Sequence, residues 1–548
     1  MPAGRLYCTS CTTPYNLTNI TSKYGSSKFS ELPAGLTRLL QTNEPPPYQD
    51  LLSHRTSLKL VHDVLSDIDD LKAWRERIVL REQQYQSLLS PARRLPNEIL
   101  REIFLCTKEI AGEYDLFDTS VGPWVLGAVC QSWRYVSTTK CPEIWTGFGI
   151  TVWGLHKREP RAPVSLLKTA IGRTGNKDID FSFDCILVET CNSNVSRLFF
   201  EVLQESPRWA VVRLFLHKKL LSPLRQVVEP FSRLSALAFG IKNLAPIDNV
   251  NLDVFEDCPN LSVVHLLSSP CPTRLSIPYS QLTSFSDIVT KGTETLHAHY
   301  LDIIRQSPHL RTISLPYSIP PTHPFATPAE DTRIIHNSIQ ELSIAENLLF
   351  VALQLPQLTI LHVGTSTFFN RDGGTTLTNI AGMLEASKCS LTELSLTNIP
   401  ITHNILAILQ LSPLLSTLKF LFTDWCQSSV AARLKLDDLL IKLALYTHGS
   451  GYNFVPQLET FDVSICEEHD LHVGFISPKL VDMVLSRCLK HDASPLKGVN
   501  VNISVPKLDE ELWYMNTDRM QELRECGERG VTIDLAVQDN EKQVWKYV

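Results

Sequence analysis

A short frame recurs along the chain from about residue 206 onward, and it constrains the fold more than any other feature. It consists of a proline, one residue, a leucine or tryptophan, two residues, and two apolar residues separated by one position. Six segments fit it: SPRWAVVRLFL (206–216), CPNLSVVHLL (258–267), SPHLRTISL (307–315), LPQLTILHV (355–363), SPLLSTLKF (412–420) and VPQLETFDV (455–463). Three more fit without the proline: SRLSALAF (232–239), SIQELSI (338–344) and CSLTELSL (389–396).

Successive units lie mostly about 20 to 33 residues apart, the spacing of leucine-rich repeats. The alternation that ends each unit predicts a short strand, and segments such as NILAILQLS (404–412) predict intervening helices. Each unit can bury its apolar face only against its neighbours. We therefore predict an irregular leucine-rich-repeat-like α/β solenoid over residues 149–548. An ordinary α/β domain with parallel strands also fits the pattern. The longer gap between Leu415 and Leu458 indicates an insertion or an unread unit.

The alternation also predicts which strand residues face the core. The predicted inward set is Leu266, Ile313, Leu315, Leu361, Val363, Leu394, Leu396, Leu418, Phe420, Phe461 and Val463. The residues between inward positions then face solvent and are our candidates for binding a target protein: His265, Ser314, His362, Ser395, Lys419 and Asp462. Such a mixed polar row suits a protein or peptide better than nucleic acid or membrane. The alternative is a merely solvated sheet face, with the target bound at the loops of the C-terminal strand edges.

Two stretches precede this region. Residues 1–50 are rich in Ser, Thr and Pro, which predicts a flexible leader. Within 51–89, apolar residues recur at spacings of three and four and predict one amphipathic helix of at least five turns: Leu58, Val61, Leu65, Ile68, Leu71, Trp74 and Ile78. This helix either packs on a neighbouring element or self-associates as a coiled coil.

Residues 90–148 contain two further apolar stripes. Pro96 and Glu98 suit the first turn of a helix, whose face would carry Ile99, Leu100, Ile103 and Phe104. A second helical face is predicted from the i, i+3, i+4, i+7 spacing of Leu126, Val129, Cys130 and Trp133. We thus predict a helix–loop–helix unit over 91–145. Because about 50 residues bury little surface on their own, part of this unit should be covered by another domain or protein.

The same residues closely resemble an F-box, as found in the F-box-like proteins abundant in mushroom-forming fungi. The resemblance rests on LPNEILREIF (95–104), VCQSW (129–133) and CPEIW (141–145), with isoleucine where the last part usually has leucine and with a long loop between the first two parts. It implies a small all-α F-box over 90–148 that binds the Skp adaptor. The residues assigned to this contact are Leu95, Pro96, Ile99, Leu100, Ile103, Phe104, Val129, Cys130, Trp133, Ile144 and Trp145.

The resemblance further implies a substrate-recognition subunit of a Skp–cullin–F-box ubiquitin ligase. Such a subunit reaches the cullin through the adaptor, holds a target protein on its C-terminal repeats, and performs no catalysis itself. Two alternatives stay open. The chain could bind the adaptor without assembling a ligase, or it could be a plain repeat scaffold in which residues 91–145 only cap the solenoid.

Composition excludes several other classes. The net charge of −7 and the absence of a large basic cluster argue against nucleic acid as a partner. The sequence contains no run of eighteen apolar residues, so a membrane span is not predicted, and the N-terminus shows no secretory signal. The 14 cysteines are scattered and often lie among apolar residues. We therefore expect an intracellular protein, cytoplasmic or nuclear, with reduced thiols.

Motifs for chemistry are weak. Cys8 and Cys11 form one Cys-x-x-Cys pair without a second of matching spacing, so a zinc site is not expected. CEEHD (466–470) has no partner motif, and RDGGTT (371–376) lacks the Gly-Lys-Ser/Thr of a phosphate loop. No catalytic residue, metal or cofactor is expected, and an enzyme is the least favoured class.

Overall fold

The computed structural model describes most of the chain, in two compact units, Met1–Ile99 and Leu100–Val548. The described residues are 6–7, 14–15, 47–89, 91–152, 163–185, 193–227, 229, 231–242, 251–267, 274–289, 294–317, 333–364, 373–422, 429–447, 451–466, 478–489, 496–505, 517–539 and 544–546.

The first unit contains one long helix, α1, which spans Tyr48–Leu89 and has 42 residues. The prediction of a helix of at least five turns within 51–89 is confirmed. Two short strands, β1 (Leu6–Tyr7) and β2 (Pro14–Tyr15), pair antiparallel. The rest of the predicted flexible leader, up to residue 46, lies outside the described residues.

The helices that follow are α2 (Asn97–Ala111), α3 (Gly122–Val129), α4 (Gln131–Tyr135), α5 (Pro163–Arg173), α6 (Ser193–Leu203), α7 (Leu221–Arg225), α8 (Glu294–Gln306), α9 (Asn347–Ala352), α10 (Gly373–Ser387), α11 (Ile405–Leu411), α12 (Ser429–Ala444), α13 (Pro478–Leu489) and α14 (Thr517–Glu528). The further strands are β3 (Tyr114–Asp115), β4 (Gly147–Thr151), β5 (Ile179–Asp184), β6 (Trp209–His217), β7 (Ala236–Lys242), β8 (Asn251–Leu252), β9 (Val263–Leu267), β10 (Arg274–Leu275), β11 (Ser284–Ile288), β12 (Thr312–Leu315), β13 (Ile334–Ile335), β14 (Glu341–Ile344), β15 (Leu353–Gln354), β16 (Ile360–Val363), β17 (Glu393–Thr397), β18 (Thr417–Phe422), β19 (Tyr446–Thr447), β20 (Gly451–Tyr452), β21 (Thr460–Cys466), β22 (Gly498–Val505), β23 (Thr532–Asp539) and β24 (Val544–Lys546).

One 16-stranded sheet organises the second unit. Its strands lie side by side in chain order, from β3 at one edge to β24 at the other. The other strands of the described residues form two-stranded sheets such as β8–β10. Each neighbouring pair is parallel except β23 and β24, which are antiparallel. The expectation of an α/β fold is confirmed, and its large sheet is almost entirely parallel.

The repeated frame folds into the same local geometry in successive units. The amide of its leucine donates to the carbonyl three residues earlier, as from Leu261 to Cys258 (3.2 Å), Leu310 to Ser307 (3.1 Å) and Leu358 to Leu355 (3.2 Å). This places the proline at the second position of a tight turn, where its fixed φ is favourable. The leucine itself is fully buried in each of the three units. The frame is therefore a turn, an anchor in the core, and a strand.

The core lies on one side of the sheet. Every member of the predicted inward set is buried, from Leu266 at 6% exposure to several at 0%, so that prediction is confirmed. The predicted helix within 404–412 is observed as α11, which packs against α10. The last unit follows the same order of helix and strand, since α14 is followed by Gly530 at a φ of 93° and then by β23.

The long gap between Leu415 and Leu458 is an insertion rather than an unread unit. Strands β18 and β21 pair directly, with Leu418 opposite Phe461, so no strand of the large sheet lies between them. The inserted residues that the structure describes form α12 and the antiparallel ribbon β19–β20.

Residues 90–148 differ from the predicted all-α unit. Tyr114 and Asp115 form β3, and the residues after Trp145 form β4, which pairs with β3 and β5. The alternation of buried Phe148 and Ile150 in this glycine-rich stretch fits a strand. The helical segment therefore runs directly into the sheet.

Candidate docking surfaces

The second predicted helix of the F-box-like segment is broken in two, so the prediction of one helical face from Leu126 to Trp133 is wrong. Cys130 is extended, with φ −160° and ψ 174°, and separates α3 from α4. Its sulfur accepts the amide of Trp133 at 3.5 Å and thus caps α4. The Arg134 side chain donates to the Gly127 carbonyl at 2.8 Å and ties the two short helices together.

The residues assigned to the adaptor contact fall into three groups by exposure. The exposed members are Pro96, Ile99, Ile103 and Val129. The half-buried members are Leu95, Cys130 and Trp133. The buried members are Leu100, Phe104, Ile144 and Trp145. Only the first two groups present surface to a partner, and the role of each residue in adaptor binding stays a prediction.

The buried aromatic residues build the interior of this segment. Phe104 meets Trp133 edge to face, with ring centroids 5.1 Å apart. The indole N–H of Trp145 donates to the Ser137 carbonyl at 2.7 Å, and its ring lies 4.9 Å from that of Trp124. The Arg173 guanidinium covers the same ring at 4.5 Å. These contacts give the short helices a core of their own, which leaves their outer faces available.

Those outer faces carry more apolar residues than the sequence motif indicated. On α2, Ile103 is 40% exposed and Ile110, two turns later, is 88% exposed. On α3 and its N-cap, Val121, Val125 and Val129 stand four residues apart and are 39%, 38% and 55% exposed. We call these five residues the exposed apolar rows. The four-residue spacing of the valines is visible in the sequence, but Val121 and Val125 lie outside the motif and were not predicted as contact residues.

Ion pairs and hydrogen bonds connect this segment to the first strands of the sheet. Glu143 pairs with Arg101 at 3.1 Å and with Lys177 at 3.2 Å. Partial burial alone would raise the pKa of Glu143. Hydrogen bonds from its own backbone and from these two cations outweigh that effect, so the pKa is lowered overall. Glu113 accepts hydrogen bonds from Ser182 on β5 and Arg213 on β6. The segment is thereby held on the sheet.

The six predicted target-binding residues share one row across the sheet. The register pairs His265 with Ser286, Ser286 with Ser314, and Ser314 with Ser343, and it continues through His362, Ser395, Lys419 and Asp462 to Asn500 and Asp534. We call this set the polar row. Ser286, Ser343, Asn500 and Asp534 are members that the sequence reading did not include. None of the six predicted residues is buried, so the row faces away from the core. Its role in target binding stays a prediction.

The polar row has mixed electrostatics. Lys419 lies 2.8 Å from Glu393, and burial raises the pKa of Asp462 while Lys419 opposes the rise. Nδ1 of His265 lies 2.7 Å from the Ser286 hydroxyl, and burial lowers the pKa of this histidine. The row therefore offers hydrogen-bond donors and acceptors with charges of both signs.

Within the described ranges, no group of three His, Cys, Asp or Glu side chains is arranged to hold a metal ion. Cys8, Cys11 and most of CEEHD (466–470) lie outside those ranges, and so do Arg371 and Asp372 of RDGGTT. The glycines of that motif begin helix α10. A membrane-crossing helix, judged by length and apolar character, is likewise absent from the part of the chain that the structure describes.

Comparison with known proteins adds no relative. No protein-family model matches the chain, and no curated protein matches it significantly.

Proposed function

We propose that this chain is the substrate-recognition subunit of a Skp–cullin–F-box ubiquitin ligase. It binds the Skp adaptor through the exposed apolar rows and holds a target protein on an irregular leucine-rich-repeat-like solenoid. The observation that carries the proposal is the division of the F-box-like motif into an internal aromatic core and outward apolar residues such as Ile103 and Val129. A segment that needed no partner would leave fewer large apolar side chains on its surface.

The repeat-like solenoid is supported by the strand order, the parallel register and the recurrent turn of the frame. Stacked units of this kind bury each apolar face against the next unit and expose one strand residue per unit in a row. The polar row fits that expectation. The contribution of such a subunit to ubiquitin transfer is proximity, because it positions the target while other components perform the chemistry.

One observation favours a second function. Strand β3 lies at the edge of the large sheet and pairs Tyr114 with Phe148. A segment placed there protects the sheet edge, as expected of a cap in a plain repeat scaffold. A pull-down with purified adaptor and cullin separates the readings. A ligase subunit retains both proteins, an adaptor-binding scaffold retains the adaptor alone, and a capped scaffold retains neither.

Adaptor binding should be lost when charges are placed on the exposed apolar rows. Burying each side chain contributes about 1.5–3 kcal/mol, so Ile103→Asp with Val129→Asp should weaken adaptor binding at least about tenfold. Both positions are exposed, so the circular dichroism spectrum should stay unchanged. Binding is measured by isothermal titration with the purified adaptor.

The matched control is Ile335→Asp, an equally apolar residue that is 60% exposed on β13, far along the chain from the F-box-like segment. It should bind the adaptor as the wild type does. Wild-type affinity in the Ile103/Val129 variant, with folding intact, would move the docking surface elsewhere.

The polar row should determine target binding. Target proteins are captured with the Ile103→Asp/Val129→Asp variant as the bait. A variant lacking residues 91–145 is not suitable, because the deletion would remove β3 and the buried Trp145. Lys419→Ala with Asp462→Ala should reduce target capture. Both residues are half-buried and Lys419 pairs with Glu393 at 2.8 Å, so urea denaturation checks that the variant stays folded. A second variant alters His265, Ser314 and His362. Unimpaired capture by both variants, measured by quantitative mass spectrometry against the unaltered bait, would place the target at the strand-edge loops.

A further inference from the structure

Helix α1 exposes large apolar side chains along its whole length. The exposed residues are Tyr48, Leu52, Leu58, Leu60, Val61, Leu65, Ile68, Trp74, Ile78, Val79, Leu80, Tyr85 and Leu89. Helical stability in proteins comes mainly from packing an amphipathic face, so a helix of 42 residues with this surface requires a partner. The features of α1 identify that partner.

The apolar residues form a stripe through both halves of the helix. In the first half, Leu58, Val61, Leu65 and Ile68 recur at spacings of three and four. In the second half, Ile78 and Tyr85 continue the stripe on a face that is displaced around the helix axis. Spacings of three and four are those by which two helices interlock side chains. The stripe therefore fits another long helix better than a globular surface.

Charge is distributed unequally between the two halves. Residues 62–71 contain the aspartates Asp63, Asp67, Asp69 and Asp70 and no lysine or arginine. Residues 72–81 contain Lys72, Arg75, Arg77 and Arg81 with one acid, Glu76. The Lys72–Asp69 pair of 3.2 Å joins side chains that are 70% and 74% exposed, so it neutralises little of this asymmetry.

We propose that α1 pairs with α1 of a second copy of this chain in an antiparallel coiled coil. A twofold axis between Leu71 and Lys72 sets the acidic block 62–71 against the basic block 72–81 of the other copy, twice. The same axis sets Leu65 opposite Ile78 and Leu58 opposite Tyr85. A parallel pair would instead place like charges together in both blocks. The charge pattern of the helix is thus complementary to itself only in the antiparallel direction, as an isologous dimer requires.

The oligomeric state of the full-length chain tests this dimer. Sedimentation equilibrium should give a dimer for the wild type. Leu65→Glu with Ile78→Glu should raise the dimer dissociation constant at least about tenfold. Glutamate favours helix, so circular dichroism should show α1 retained. The matched control is Leu60→Glu with Leu80→Glu, which introduces the same two glutamates on α1 at positions two residues, or about 200° around the helix, from the stripe residues Leu58 and Ile78. It should leave the dimer intact.

Charge exchange tests the direction of pairing. Asp69→Lys with Asp70→Lys should weaken the dimer, and so should Arg75→Glu with Arg77→Glu, because each makes the facing blocks alike. Combining the four substitutions exchanges the blocks and should restore the dimer. A monomeric wild type at every concentration tested, or block variants that dimerise as well as the wild type, would overturn the proposal. The adaptor and cullin pull-down is independent of this result, because it reads the F-box-like segment alone.

Discussion

Replacing Arg487 by leucine should lower the free energy of unfolding by about 3–5 kcal/mol, the cost of removing three hydrogen bonds that a charged donor makes to backbone carbonyls. Arg487 lies on α13 and is 0% exposed. Its guanidinium donates to the carbonyls of Leu443 (3.0 Å), Val455 (3.1 Å) and Phe454 (2.9 Å). Leucine is smaller than arginine and offers no donor, so all three hydrogen bonds would be lost at once, and the Val455 carbonyl would keep only the amide of Leu458.

Arg487 holds the insertion between β18 and β21 in place. Its three acceptors lie at the end of α12 and in the turn before β21, and the ring of Tyr452 on β20 lies 4.4 Å from its charge. Burial lowers the pKa of Arg487 to about 10, and Tyr452 opposes this shift. A charge this strongly desolvated is retained only where its hydrogen bonds are satisfied.

The measurement is urea denaturation followed by circular dichroism, with hydrogen exchange of residues 443–455 as the local readout. Arg487→Lys keeps the charge, but an ammonium group lacks the planar set of donors that reaches all three carbonyls. The free energy of unfolding should therefore fall by an intermediate amount. The control is Arg197→Leu at an exposed position of α6, expected within about 0.5 kcal/mol of the wild type. A loss below about 1 kcal/mol for Arg487→Leu would mean that the carbonyls find other donors.

The strands were predictable where the frame and the turn coincide. In CPNL, SPHL and LPQL the proline fixes the turn and the leucine anchors it, so the strand that follows has only one register that buries its apolar residues. This local consistency also predicted the polar row. Once the alternation is known in each strand, parallel pairing in register aligns the intervening residues.

Strands that break the frame were missed for identifiable reasons. In β11 the second inward position is Asp287, which is 2% exposed and accepts a hydrogen bond from the Tyr300 hydroxyl at 2.9 Å. A hydrogen bond supplied by a distant helix makes this carboxylate compatible with the core, and no local pattern shows it. In the segment before β22, Pro495 directly precedes Leu496, without the intervening residue of the frame.

In the F-box-like segment, the apolar positions were predictable, but the groups that cover them were not. A helical stripe shows that a face is covered, and it does not show whether the chain itself or another protein covers it. Leu100 and Ile103 belong to the same stripe, yet one is buried and the other is 40% exposed. The break at Cys130 was also hidden, because periodicity continues across a cap in which a sulfur accepts the amide.

Trp145→Ala should destabilise the second unit by about 3–5 kcal/mol, as for other large-to-small changes in a core. The residue is 0% exposed, and its ring is enclosed by Trp124 and Arg173. Trp145→Phe loses the hydrogen bond to Ser137 but retains an aromatic ring, so the free energy of unfolding should fall by less than in Trp145→Ala. The measurement is urea denaturation, with hydrogen exchange of residues 136–151 as the local readout and Val129→Ala as an exposed control.

This substitution separates a core role for Trp145 from the adaptor contact that the motif assigns to it. If Trp145 belongs to the core, adaptor binding by Trp145→Ala falls only with the folded fraction and returns at temperatures where exchange shows the segment folded. Val129→Asp should show the reverse pattern, with binding lost and unfolding free energy nearly unchanged, because Val129 is 55% exposed. Unchanged stability together with lost binding in Trp145→Ala would place the indole in the contact itself. The two variants together decide which apolar residues of one motif serve the fold and which serve the partner.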